Sequence, residues 1–218
     1  MIRRSVLFFA LALLVALPAQ MPGAEWKQLF NGKDLTGWKQ VGPGHFEVED
    51  GMLKTVGGMG LLYYTGGKIG NSVIRVVFKV TKPDDNSGVF IRIPIEPREE
   101  WMPVNYGYEV QIYDAGDEHH CTGVLYSLTT AMARPSKPAG EWNTMEITLD
   151  GPHTVVMLNG TKVTDYTEGQ PVPERTKEFE PQHGRRPNEG WIGVQNHPHE
   201  DKSDSGVYFK EVAVKPLK

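Results

Sequence analysis

Cysteine is all but missing. Cys121 stands alone in 218 residues, so no intrachain disulfide can form and stability must come from a packed core. Long runs of one charge are missing too. The chain has 23 Lys and Arg against 27 Asp and Glu, a formal net charge of −4. That mild acidity argues against nucleic acid or an anionic membrane surface as partner. Apolar patterns of helical period are missing beyond the first two dozen residues, and no helix is expected there. Gly57-Gly58-Met59-Gly60 follows a strand pattern but opens no helix, which argues against a phosphate-binding loop. The adjacent His119, His120 and Cys121 have no second ligand pair at a usual spacing, which argues against a zinc site there.

What is present begins with a targeting pattern. Arg3 and Arg4 precede an apolar stretch over residues 6–17, and small residues around Ala19 and Ala24 offer cleavage points. This reads as a secretory signal peptide over residues 1–24, followed by one domain over residues 25–218. The expected location is secreted or periplasmic, with no membrane attachment after cleavage. Losing Arg3 and Arg4 leaves 21 basic against 27 acidic residues, or −6.

Frequent Gly (24) and Pro (16) punctuate short alternating segments. Strands are expected over residues 26–30, 45–48, 52–56, 61–65, 72–80, 87–93, 107–114, 122–128, 142–150, 154–158, 162–166, 191–195 and 207–214. Asp50-Gly51 and Asn159-Gly160 are hairpin turns. Residues 94–103 form a loop beside strong strands, and residues 168–189 form a surface excursion. So many strands exceed an immunoglobulin-type sandwich. They predict an all-β, two-sheet antiparallel jelly roll, with a single closed barrel as the alternative.

Residues 107–114 are the most informative stretch. Tyr108, Val110 and Ile112 share one face, and Glu109, Gln111 and Tyr113 share the other. On residues 87–93, Val89, Ile91 and Ile93 are expected inward and Phe90 and Arg92 outward. Trp191, Gln195 and His197 share one parity near the end of the chain. If these strands join one sheet, its outer face is a groove of aromatics, a cation, a carboxylate, two amides and a histidine. Aromatic rings stack on sugar C–H faces and planar polar groups bind hydroxyls, so a carbohydrate is the expected partner. The plainer readings stay open: a surface ion pair for Arg92, a core or rim position for Trp191, and a solvated loop for His197.

Leu29-Phe30-Asn31-Gly32-Lys33-Asp34-Leu35-Thr36-Gly37-Trp38 resembles the opening signature of the 3-keto-disaccharide hydrolase domain family. Asn86-Ser87-Gly88-Val89-Phe90-Ile91-Arg92, Gly107-Tyr108-Glu109-Val110-Gln111-Ile112-Tyr113-Asp114, Thr122-Gly123-Val124-Leu125-Tyr126, Glu141-Trp142-Asn143 and Gly190-Trp191-Ile192-Gly193-Val194-Gln195-Asn196-His197 are similar to its later motifs, in order, over about residues 25–216. The resemblance implies a concanavalin-like fold and activity on sugars oxidised at C3. The strand is also similar to the Glu-x-Asp-x-x-Glu strand of laminarinase-type glycosidases, but Gln111 stands where the central acid would be and Asp114 where the second Glu would be. That departure speaks against a retaining mechanism with two carboxylates.

A ketone at C3 acidifies the C2 proton. A base can remove it, the C1 substituent departs by elimination, and water adds later. On this expectation Glu109 or His197 serves as base or acid, and Arg92 and Gln195 stabilise the enolate or hold hydroxyls. Gln111 and Tyr113 orient the ring with Asp114 supporting, and Trp191 and Phe90 are aromatic lining. A divalent metal is the alternative enolate stabiliser, with His197, Glu109 and Asp114 among its ligands. The competing functions are a non-catalytic carbohydrate-binding module and an ordinary glycosidase.

Overall fold

The computed structural model describes residues 25–217. The signal-peptide expectation falls on residues 1–24, outside the described residues. Thirteen strands and one short helix are described: β1 Lys27–Gln28, β2 Trp38–Val41, β3 His45–Glu49, β4 Met52–Val56, β5 Gly60–Tyr64, β6 Ser72–Val80, β7 Ser87–Ile93, α1 Met102–Tyr106, β8 Tyr108–Ile112, β9 Asn143–Asp150, β10 His153–Leu158, β11 Thr161–Thr167, β12 Trp191–Asn196 and β13 Val207–Pro216.

They form two antiparallel sheets, the jelly-roll sandwich expected from the strand count. One runs β11-β10-β9-β6-β13-β4-β3, with β1 paired to β13, and the other runs β2-β5-β12-β7-β8. Turn chemistry sets the hairpins. Asp50 and Gly51 take φ of 50° and 78°, and Asn159 and Gly160 take 49° and 80°. Two successive left-handed residues match the right-handed twist of the strands they join.

The main core lies between the sheets. Ile74, Val76 and Phe78 of β6 meet Val89 and Ile91 of β7 and Val110 and Ile112 of β8 there. Each such side chain contributes about 1.5–3 kcal/mol by leaving water. A second, smaller cluster forms on the outer face of the five-stranded sheet. Residues 94–106 fold across that face, and Met102 and Val104 of α1 pack on Leu61, Tyr63, Phe90 and Ile93. The helix has Pro103 in its first turn, which a helix tolerates because that N–H would have no partner. Half of the outer face is therefore dry and the other half is open.

The segment 122–128, expected as a strand, is a series of turns instead. Gly123 and Ser127 take φ of 93° and 58°, which a continuous strand cannot hold. The segment still answers the free edge of β8. Gln111 N–H donates to the Val124 carbonyl at 3.0 Å, Gly123 N–H to the Gln111 carbonyl at 2.8 Å, and Tyr126 N–H to the Glu109 carbonyl at 2.9 Å.

Candidate active site

The open half of the outer face holds a cavity of about 280 Å³. Its floor comes from strand alternation. Tyr108, Val110 and Ile112 of β8 are in the core, so Glu109 and Gln111 must point the other way. Gln195 arrives from β12, and β7 lies between β12 and β8. Gly88 of β7 makes this possible: a Cβ there would sit 2.5 Å from Glu109 Oε1, so the carboxyl occupies the space that a side chain would take. His197 follows β12 and is held by a bridge to Asn86. Tyr126 reaches in from the turns along the edge of β8, and Trp101 and Phe179 form walls.

The electrostatics separate the carboxyl and the imidazole of this cavity. Burial pushes the Glu109 carboxyl up to about 8, and a hydrogen bond from the Gln195 amide offsets only part of that. Glu109 is therefore protonated at neutral pH. Burial acts oppositely on His197 and holds it below its ordinary value, hence neutral. His197 Nδ1 lies 2.8 Å from the Pro198 carbonyl oxygen. That contact requires the proton on Nδ1, which leaves the Nε2 lone pair free. Burial, with the Glu109 charge next, pushes the Tyr126 phenol up to about 12, so it remains a donor. Ile112 N–H donates to Gln111 Oε1 at 3.1 Å, which leaves the Gln111 amide nitrogen to face the cavity. Two buried acceptors, Asn86 Oδ1 and Gln195 Oε1, have no protein partner. Hydroxyl donors of a ligand would satisfy them.

The cavity brings together Glu109, Gln111, Gln195 and His197 of the residues singled out in the sequence. Tyr113 lies in two adjoining depressions. Asp114 is turned away: its carboxylate accepts from the Thr122 hydroxyl at 2.6 Å. Arg92 requires a correction. Its φ is 55°, and two residues of β7, Ile91 and Arg92, oppose one of β12, because Phe90 pairs with Gly193 and Ile93 with Trp191. This bulge reverses the alternation. Arg92 is fully buried and donates to the carbonyls of Pro187 (3.0 Å), Gly151 (2.8 Å) and His153 (3.1 Å), away from the cavity. The same bulge puts Ile93, expected inward, into the outer cluster with Phe90. Phe90 and Trp191 do face outward, but neither lines the cavity: residues 94–106 cover Phe90, which is fully buried, and Trp191 is partly buried against the same cluster, meeting Tyr63 edge-on at 6.1 Å.

Asn86, Trp101, Tyr126 and Phe179 were not singled out as site residues. Asn86 and Tyr126 sit in family-like motifs, and Trp101 lies in the loop noted beside strong strands. Phe179 carried no signal beyond its surface excursion. No group of three or more His, Cys, Asp or Glu side chains gathers to hold a metal among the described residues. Glu109 and His197 share the cavity without Asp114, so the metal set expected from the sequence does not assemble. No helix among the described residues is long and apolar enough to cross a membrane.

Known proteins add to this geometry. The chain is similar to a candidate glycosyl hydrolase from Parabacteroides distasonis, with 26% identity, a TM-score of 0.69, and coverage of 88% of this chain and 100% of that one. A Bacillus subtilis protein of unknown function with a galectin-like fold matches at 12% identity and TM-score 0.63, covering 90% and 97% of the two chains. A β-glucanase from Bacillus licheniformis matches at 12% and 0.51, covering 91% and 100%. These last two show the shared fold alone. No curated protein sequence matches the chain. The family model described as the 3-keto-alpha-glucoside-1,2-lyase-like domain matches residues 25–215.

Proposed function

Because the chain belongs to the 3-keto-alpha-glucoside-1,2-lyase-like domain family, and so carries a carbohydrate-active, glycosyl-hydrolase-like domain, we propose that it cleaves the glycosidic bond of sugars already oxidised to a ketone at C3. The observation that carries this reading is the pair of opposed titrations in one cavity. His197 is held neutral and Glu109 is held protonated across the same neutral range. Groups whose environments push their pKa values apart are suited to act as base and acid.

In this mechanism His197 Nε2 takes the proton from C2. The C2–H electron pair forms a C2–C3 double bond as the C3 carbonyl pair moves onto its oxygen, which gives the enolate. The Gln111 amide N–H and the Tyr126 hydroxyl donate to that oxygen, the task that the sequence suggested for Arg92. The enolate then collapses: the C3 carbonyl re-forms and the C2–C3 double bond shifts to C1–C2. The C1–O bond breaks with its electron pair on the departing oxygen. Glu109 protonates that oxygen, so an unsaturated ketone remains. Addition of water across its double bond returns the 3-keto sugar and completes a net hydrolysis. Asn86 Oδ1 and Gln195 Oε1 accept from ring hydroxyls. No second carboxylate is needed, which agrees with Gln at position 111.

The test is incubation with a 3-keto-disaccharide and measurement of released monosaccharide. Binding without turnover would favour a carbohydrate-binding module, and cleavage of an unoxidised β-glucan would favour an ordinary glycosidase. Export is part of the proposal, with processing near residue 24. A Met1 N-terminus on protein recovered outside the cell would contradict it.

A further inference from the structure

His197 is aimed by its own loop. Its Nδ1 lies 2.8 Å from the Pro198 carbonyl oxygen, and the proton held there is what leaves Nε2 bare. In water a neutral histidine ring favours the other form, with the proton on Nε2. The Pro198 carbonyl must therefore keep its direction for His197 to present a lone pair. A planar trans peptide supplies that direction, because the Pro198 carbonyl and the His199 N–H point opposite ways from one unit. The His199 N–H donates to the Ser203 carbonyl at 3.0 Å, so the Pro198 carbonyl is turned back toward the His197 ring. Packing alone does not hold this unit: Pro198, His199 and Ser203 border a depression of about 630 Å³.

The His199 side chain supplies the hold. Asp85 is fully buried in the turn between β6 and β7. Its Oδ2 accepts from the Thr81 N–H, the Thr81 hydroxyl and the Lys82 N–H, each at 2.8 Å. Its Oδ1 meets His199 Nε2 at 3.0 Å. A carboxylate only accepts, so His199 carries a proton on Nε2. Asp84 adds a longer contact, 3.7 Å from its Oδ2 to His199 Nδ1, and the imidazole is only 13% exposed. Elsewhere in the loop, Ser205 Oγ donates to the His197 carbonyl at 2.6 Å and accepts the Asn86 N–H at 3.0 Å. That tie holds the His197 backbone and touches neither polar atom of the Pro198–His199 peptide.

We propose that His199, clamped by Asp85, is a positioning residue. It fixes the Pro198–His199 peptide, and so keeps the His197 proton on Nδ1 and the bare Nε2 toward the cavity. Its value to turnover rests on the reaction proposed above, in which His197 Nε2 takes the C2 proton. The clamp itself is a property of the free protein.

The test is nitrogen NMR of the histidine rings in isotope-labelled protein, at neutral pH and without substrate, with His197 assigned by its loss in His197→Gln. Wild-type His197 is expected with its proton on Nδ1. His199→Asn is too short to reach Asp85. It should move the His197 proton to Nε2 and lower kcat by about tenfold at unchanged KM. His199→Gln, long enough to bring an amide donor to Asp85, should restore both. If His199→Asn does not fold, His199→Ala carries the same expectation. Wild-type His197 protonated on Nε2 overturns the proposal before any variant is made. Loss of stability or of kcat in His199→Asn while His197 keeps its Nδ1 proton also overturns it, because a merely structural role would do the same. A wild type that cleaves no 3-keto-glucoside overturns the proposed reaction, and the tautomer shift in His199→Asn then still supports the clamp.

Discussion

The bulge around Arg92 and the pocket around Glu109 lie on neighbouring strands, and each buries a group that is ionised in water. At the bulge, three backbone carbonyls from two distant segments converge on one guanidinium. At the pocket, one side-chain amide is the only hydrogen-bond donor that lowers the carboxyl's pKa, and burial outweighs it. A buried charge tied through both terminal nitrogens to three carbonyls, with only its Nε unpartnered, holds segments in place. A buried acid with too few partners keeps its proton at neutral pH and can release it to a substrate. Burial alone does not separate these two roles; the partners do.

Four measurements would break or sharpen that contrast. The largest effect is expected for Glu109→Gln: kcat/KM on a 3-keto-glucoside should fall by roughly 10²–10⁴, the usual contribution of a general acid. Full retained activity would remove Glu109 from the chemistry and end the contrast. Next is Arg92→Met, which takes the guanidinium donors from three half-buried carbonyls and leaves a hole in a fully buried site. Urea unfolding should show a loss of about 3 kcal/mol, with kcat of the folded fraction retained. A drop in kcat at unchanged stability would move Arg92 into the site.

The pH dependence comes third. Activity should fall as pH rises through about 8, where Glu109 loses its proton, and fall again below His197's depressed pKa, under 6.5, where His197 gains one. Stability has its own signature. Glu109's folded pKa is raised from 4.5, so its contribution is fully present below 4.5 and is lost as pH rises through about 8. The melting temperature of Glu109→Gln should therefore gain on wild type between pH 5 and pH 9. The smallest effect is expected for Gly88→Ala. Its methyl would displace the Glu109 carboxyl and lower kcat/KM by about tenfold through misplacement.

Much of the molecule was legible in the sequence wherever alternation ran unbroken. β6 and β7 occupy the expected residues, and both Asx-Gly hairpins turn where expected. Alternation from Tyr108 to Ile112 put Glu109 and Gln111 on the cavity side, and it did the same for Gln195. It misled at Arg92, because a bulge has no reliable mark in one sequence: nothing in Phe90-Ile91-Arg92-Ile93 announces a left-handed residue. It also could not show that residues 94–106 would fold back over Phe90. That depends on contacts between segments distant in the chain. Tyr126 and Phe179 reach the cavity from irregular segments, where no period exists to say which way a side chain points.

The turns over residues 122–128 have a consequence for how the protein behaves in a crowded solution. β8 is the last strand of its sheet, rich in Val, Ile and Tyr, and an open edge of that kind invites another chain to add a strand. Backbone bonds from Gln111 to Val124, Gly123 to Gln111 and Tyr126 to Glu109 already occupy it. The same cover delivers the Tyr126 hydroxyl to the cavity. Resistance to edge-to-edge aggregation and assembly of the pocket are thus set by one short segment, and a change that loosens it would be felt in solubility as well as in turnover.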